Sequence, residues 1–187
     1  MPQNFLEKNL SLQNAVAKFI FTKRTHYFYS MKIQLWSIGK NHEDYIKNGV
    51  EDFTKRISKY YPVQWIIIPP IKNPGVLMEN DLKKKEGELI LSLLQKDDCL
   101  IALDENGKQF SSASLAKFIQ SRANESAKSL VFLIGGAFGI DEIVLKKANY
   151  TWSLSQLTFP HQLVRLVLAE QIYRACTILR NEKYHHQ

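Results

Sequence analysis

From Met31 onward, apolar positions fall into short alternating or unbroken runs separated by longer stretches of helical period. Lys32 to Ile38 reads as a strand. His42 to Tyr60 reads as a helix with apolar residues at Tyr45, Ile46, Val50, Phe53 and Ile57. Val63 to Ile68 reads as a second strand stopped by Pro69 and Pro70. After a loop containing Pro74 and Gly75, the pattern predicts a charged helix from about Glu79 to Gln95, a strand over Cys99 to Leu103, and a helix from about Ser112, its expected N-cap, to Arg122. Leu130 to Ile134 is a fully apolar strand, Asp141 to Ala148 a short helix, Thr151 to Leu154 a short strand, and Gln162 to Leu179 a long final helix. Strands alternating with helices at this spacing predict an α/β domain with a largely parallel sheet.

Residues 1–30 do not share this pattern: they contain no glycine, and their apolar residues are scattered. They are expected to be a disordered or loosely helical extension, or the product of an upstream start, with Met31 as the natural first residue. Lys18, Lys23 and Arg24 interrupt the apolar stretch that a secretory signal would need, and organellar import is the lesser alternative.

The remaining chain is long enough for one core and too short for two ordinary domains; the whole is 187 residues, 45 % of them apolar. No run approaches the length of a membrane span, so no membrane partner is expected. The formal charge of +7 favours a polyanionic partner, since each neutralised phosphate releases condensed counterions, but does not separate RNA from DNA or an anionic surface. Cys99 and Cys176 lie far apart in apolar runs, without the spacing of a zinc site, and read as small buried hydrophobes of a reducing compartment. No metal site is expected.

Three segments carry candidate chemistry. Leu133-Ile134-Gly135-Gly136-Ala137-Phe138-Gly139-Ile140-Asp141 ends a buried strand in three glycines, at the edge where parallel sheets bind ligands. Its spacing matches neither the dinucleotide fingerprint nor the phosphate loop, which argues against hydride transfer and ATP hydrolysis. Leu103-Asp104 closes the preceding strand similarly, with Asp104 to Lys108 expected as a polar turn. Trp152 through Pro160-His161 forms a strand and loop entering the last helix at a proline, so His161 sits at an electropositive helix start. The last helix is apolar on nearly every face, which predicts burial all round and a subunit interface; Arg165, Glu170 and Arg174 punctuate it, the latter two spaced to pair. Taken singly, His161 reads as a helix-start histidine, Glu170 and Arg174 as a structural ion pair, and the tail Asn181 to Gln187 as frayed.

In combination, I-G-G-x-x-G, W-S-L-S-x-L-T-x-P-H-x-L-V-R, E-x-x-Y-R-A and a terminal Tyr184-His185 resemble the bacterial large-subunit rRNA pseudouridine N3-methyltransferases of the SPOUT class. The opening M-K-I-Q-L and the K-E-G-E at Lys85 to Glu88 extend the resemblance over Met31 to Gln187. It implies a SPOUT fold whose C-terminal part forms a trefoil knot, a homodimer, and methyl transfer from S-adenosylmethionine to N3 of a pseudouridine on the assembled ribosome, in the cytoplasm. By the same resemblance, Leu103, Gly135 and the stretch Leu154, Ser155, Gln156, Leu157, Thr158 and Phe159 hold the cofactor. Tyr184, His185 and Arg174, supported by His161, form the nucleobase site, and the tail of one subunit completes the pocket of the other. Arg165 and Glu170 serve structure or RNA positioning. His186 stands where the family commonly has a basic residue. A noncatalytic ribosome-binding protein with the same fold is the alternative, and the glycine loop with Tyr184-His185 argues against it; the missing fingerprint argues against a small-molecule Rossmann-like enzyme.

Overall fold

In the computed structural model, the residues described are 31–71 and 78–184. The expectations for the extension, for the loop at Pro74 and Gly75, and for His185 and His186 lie outside them. The described residues form β1 (Lys32–Ile38), α1 (Asp44–Ile57), β2 (Val63–Ile68), α2 (Glu79–Leu93), β3 (Asp98–Gln109), α3 (Ser112–Asn124), β4 (Ser129–Ile134), α4 (Glu142–Lys147), β5 (Tyr150–Ser153) and α5 (His161–Leu179). The five strands make one sheet in the order β2-β1-β4-β3-β5, with every pairing parallel.

Alternation along the central strands sorts the core into two layers. Ile33, Leu35, Leu130 and Phe132 face one side, where they meet Leu115 and Ile119 of α3 and Leu168 and Ile172 of α5. Trp36, Ile38, Val131 and Leu133 face the other and meet Ile90 of α2 and Val144 of α4. Both faces of β4 are therefore buried, which is why it reads as an unbroken apolar run. One polar element crosses the sheet: Gln34 donates to Ser129 Oγ at 2.7 Å and accepts from Trp36 Nε1 at 3.2 Å and from Gln64 Nε2 at 3.3 Å, so its buried amide is not left unmade.

Four sequence expectations need correction. The N-cap of α3 is Ser111, whose hydroxyl accepts from the Ser114 amide at 3.1 Å, rather than Ser112; with adjacent serines, only backbone geometry decides which one caps. Asp104 to Lys108 is no turn between elements, because β3 runs on to Gln109. Both Leu103 and Lys108 pair with Trp152, so the intervening residues bulge out of the strand. Gly107 lets that bulge lie on the β5 backbone, since a Cβ there would come within 2.8 Å of Thr151 and Trp152 main-chain atoms. Tyr45 of α1 is exposed, leaving Ile46, Val50 and Ile57 as that helix's buried set. Finally, α5 is not buried all round in the single chain: Arg165, Leu168, Ala169, Ile172, Ala175, Cys176 and Thr177 are buried, whereas Leu163, Leu166 and Val167 remain half-exposed.

Phe132 is fully buried at the centre of the larger layer and meets the Trp152 ring at a centroid distance of 6.0 Å. Phe132→Ala should lower the unfolding free energy by about 3–5 kcal/mol, measured by urea denaturation.

Candidate active site

The carboxyl ends of β3, β4 and β5 are neighbours in the sheet, and the loops leaving them enclose a cavity of about 860 Å³. One wall is the glycine loop. Gly139 takes a φ of +85° and donates its amide to Gly136 O at 3.1 Å, turning the chain sharply toward Asp141, which caps α4 by accepting from the Ile143 amide at 2.8 Å. A Cβ on Gly135 would come within 2.8 Å of the Gly139 backbone, so the fold of the loop requires glycine there. The second wall is the β3 bulge, braced by Asp104 Oδ1, which accepts from the Asn106 amide at 2.9 Å. The third is the segment after β5, where Ser153 Oγ donates to Ser155 O at 2.9 Å and Ser155 Oγ accepts from the Leu157 amide at 3.0 Å.

Of the residues expected at the cofactor, Leu103, Gly135, Leu154, Ser155, Leu157, Thr158 and Phe159 line this cavity, and so does His161. Gln156 is exposed and does not line it. Leucine and phenylalanine side chains together with main-chain donors and acceptors suit a flat heterocycle, while Asp104, Glu105 and Glu142 outnumber Lys83 in the lining and suit a ligand carrying positive charge. The donor set therefore fits S-adenosylmethionine, whose sulfonium and ammonium are cationic. His161 opens α5 directly after Pro160. Burial, aided by the charge of Arg165, pulls its imidazole below the ordinary histidine value, so it is neutral at pH 7 and able to accept a proton.

A second cluster lies further along α5, from its midpoint onward. Glu170 and Arg174 form an ion pair, the Arg174 guanidinium stacks on the Tyr184 ring at 4.8 Å, and the Tyr184 hydroxyl donates to Glu170 Oε1 at 3.1 Å. The residues after α5 are thus held rather than frayed up to Tyr184. Asn181 turns the chain with a φ of +55°, Tyr60 donates to Glu182 at 2.5 Å, and the Tyr184 ring packs edge-on against Tyr173. Burial and the neighbouring Glu170 raise the Tyr184 hydroxyl above the ordinary phenol value, so it remains a phenol near neutrality. The helix rise of 1.5 Å per residue places Glu170 and Arg174 roughly 14 and 20 Å along the axis from His161. The two clusters of one chain therefore do not meet.

Arg165, expected to serve structure or RNA positioning, is anchored to β1 and the chain after it. Its side chain is 1 % exposed and donates to Ser37 Oγ at 3.0 Å and Lys40 O at 2.9 Å. Those partners lie more than a hundred residues upstream, where no local spacing announces them. Glu86, of the K-E-G-E segment, does not line the cavity but lies against its glycine loop, which the sequence did not announce. It is 7 % exposed and its carboxylate presses on Gly136, where a Cβ would fall 2.3 Å from Oε2. It makes no hydrogen bond among the described residues, and burial raises its carboxyl above the ordinary value. Among the same residues, no group of three metal-ligating side chains occurs, and no helix is long and apolar enough to cross a membrane.

A family model described as "Predicted SPOUT methyltransferase" matches residues 31–185. A protein of Cytophaga hutchinsonii named "Ribosomal RNA large subunit methyltransferase H" is 48 % identical over 156 residues, covering 83 % of this chain and all of the relative. Proteins of the same name from Flavobacterium johnsoniae and Parabacteroides distasonis are 51 % and 45 % identical over 157 residues, each covering 84 % of this chain and all of the relative.

Because the folded-state pKa of Glu86 is raised, folding takes up a proton as pH falls, and the carboxylate costs stability once pH rises above its unfolded value. Glu86→Gln should therefore raise Tm at pH 7 by about 2–4 °C, and the difference should close as pH is lowered toward 4.5, followed by thermal melts across that range.

Proposed function

The chain belongs to the SPOUT methyltransferase family, and on that premise we propose that it transfers the methyl group of S-adenosylmethionine to N3 of a pseudouridine in large-subunit (23S) rRNA, as a cytoplasmic homodimer acting on the assembled ribosome. Residues 31–187 form the catalytic domain of this reading, with a trefoil knot in its C-terminal part. The observation that carries it is the cavity at the ends of β3, β4 and β5, with its heterocycle-sized apolar lining, acidic rim and neutral histidine, in a chain similar over its relatives' full length to enzymes named for rRNA methylation.

Leu103, Gly135 and the lining residues between Leu154 and Phe159 would hold the cofactor, which supplies an electrophilic methyl group when bound. The protein must then hold the acceptor in line and manage the proton that N3 loses. His161, neutral and lining the cavity, would take that proton. Arg174 supplies a fixed cation for the negative charge that develops on the imide, and Glu170 and Tyr184 fix the guanidinium's orientation. His185 belongs to this set by resemblance.

The separation of the two clusters along α5 supports a site shared between two chains. A second copy laid across the half-exposed Leu163, Leu166 and Val167 would bring its Arg174 and Tyr184 to the first copy's cavity and cover apolar surface at the same time.

The reading is tested by transfer of labelled methyl from S-adenosylmethionine to assembled ribosomes, free rRNA and separated subunits, all lacking the modification. Label should appear on a pseudouridine of assembled ribosomes. Cofactor binding without transfer anywhere would favour a noncatalytic ribosome-binding protein. In the same assay, Leu154→Trp, which fills the cavity, and Arg174→Ala should each be nearly inactive. Unfolding and refolding the two variants together should restore about a quarter of the parent activity, because half of the dimers then carry one intact composite site. No recovery on mixing would show that each site is built within one chain.

A further inference from the structure

On the side of His161 away from the glycine loop lies a second cavity of about 470 Å³, bounded by Gly39, Lys40 and Glu43 after β1 and by Pro160, Gln162 and Arg165 of the α5 start. His161 lines both cavities. Three observations make this second cavity more than a surface hollow.

The first is a buried cation that makes no ion pair, the charge of Glu43 acting on it without contact. Arg165 is 1 % exposed, yet its partners are all uncharged: Ser37 Oγ, Lys40 O, His42 Nδ1 at 3.4 Å and Gln162 Oε1 at 3.4 Å. Buried charges in proteins are ordinarily paired with an opposite charge. Its Nη2 makes no hydrogen bond among the described residues. Glu43 lines the same cavity but forms no ion pair with it; Gln162 instead accepts from the Glu43 amide at 3.3 Å. Secondly, the neighbour lying against Nη2 is Gly39, which has no side chain to cover it. That residue takes a φ of +122°, and a Cβ on it would stand 3.7 Å from Nη2. Thirdly, α5 starts here with Pro160 at its N-cap and no side chain capping the first amides, so free N–H groups and the positive end of a 19-residue helix meet the guanidinium. Lys40 stands exposed at the rim.

Resting on the functional reading above, we infer that this cavity is a subsite for a backbone phosphate of the RNA strand that carries the target base, with Arg165 as the buried anchor and Lys40 as the rim contact. A phosphate diester would meet the unbonded Nη2 of Arg165 and the helix amides at once, and would bring a counter-charge into direct contact, which Glu43 does not. The shared histidine sets the geometry. A nucleobase held against the cavity face of His161 would have its own backbone on the other face, so this subsite fixes the register of the strand while the first cavity holds the reacting atoms. The contact is to phosphate, so it positions the strand and reads no sequence.

The test uses the full chain. Dimethyl phosphate, a minimal diester, should raise the pH midpoint of the His161 imidazole as followed by NMR, because the bound anion offsets the Arg165 charge that now lowers it; the shift should vanish in Arg165→Gln. In parallel, ribosome binding is measured against salt. Arg165→Gln and Lys40→Ala should each reduce the slope of log affinity against log salt by about one and raise the ribosome KM about tenfold, while S-adenosylmethionine affinity stays at the parent value. Arg165→Lys, which keeps the charge, should recover most of the slope. Lys40→Ala keeps the backbone carbonyl that Arg165 uses, so it reports on the subsite even if Arg165→Gln folds poorly. The inference is overturned if His161 ignores the diester, if the variants weaken binding with the salt slope unchanged, or if the diester competes with S-adenosylmethionine, which would assign the cavity to the cofactor's carboxylate. Failure of the parent protein to methylate ribosomes would instead count against the functional reading, and the diester titration would still decide whether the anion subsite exists.

Discussion

The seating of α5 on the sheet is the contact on which the rest of the molecule depends. Leu168, Ile172, Ala175 and Cys176 are buried in the same layer as Phe132 and Trp152, and this face fixes the helix along the strands. With this face of α5 immobilised by apolar packing, the charged groups that interleave with it along the helix take fixed positions. The start of the helix delivers His161 and Arg165 to the carboxyl ends of the strands, and its second half presents Glu170 and Arg174 to the returning chain. Apolar burial of one face is what allows charged groups beside it to hold fixed positions without forming a core of their own.

Electrostatics at the N-terminal end of α5 follow from one side chain. Arg165 has neutral hydrogen-bond partners, with Glu43 acting on it without contact, and its field reaches two imidazoles. Burial lowers the pKa of both His42 and His161, and the guanidinium lowers each of them further. A histidine meant to accept a proton must be uncharged beforehand, and a nearby fixed cation keeps it so near pH 7. The same arginine is thus structural toward Ser37 and Lys40, whose oxygens it binds, and electrostatic toward His161.

Much of the fold was legible in the chain because alternation and helical period report on burial, and burial is what the sheet imposes. β1 and β2 begin and end where the pattern says, and the apolar run of β4 is the direct mark of a strand covered on both faces. The bulge in β3 was not legible, since Asp104 to Lys108 has the composition of a turn and only its pairing with Trp152 reveals a continuing strand. The glycine loop and the segment after β5 showed themselves by residue type at strand ends. Arg165 showed itself as a charge in an apolar helix, but its partners on β1, and the contact of Glu86 with Gly136, did not, because sequence separation conceals them. The half-exposed face of α5 has a similar cause: a helix that is apolar all round states that it must be covered, not by which chain.

Since both ends of α5 are committed, its length works as a ruler as well as a scaffold. Removing or adding one residue between Arg165 and Glu170 would turn one end against the other by about 100° and shift it by about 1.5 Å. The buried face could not compensate without exposing Leu168 or Ile172. Substitutions on the half-exposed face can accumulate as a partner surface changes in step, whereas insertions and deletions within the helix have no local remedy. Divergence in length should therefore gather in the loops flanking α5, leaving the count of residues within it unchanged.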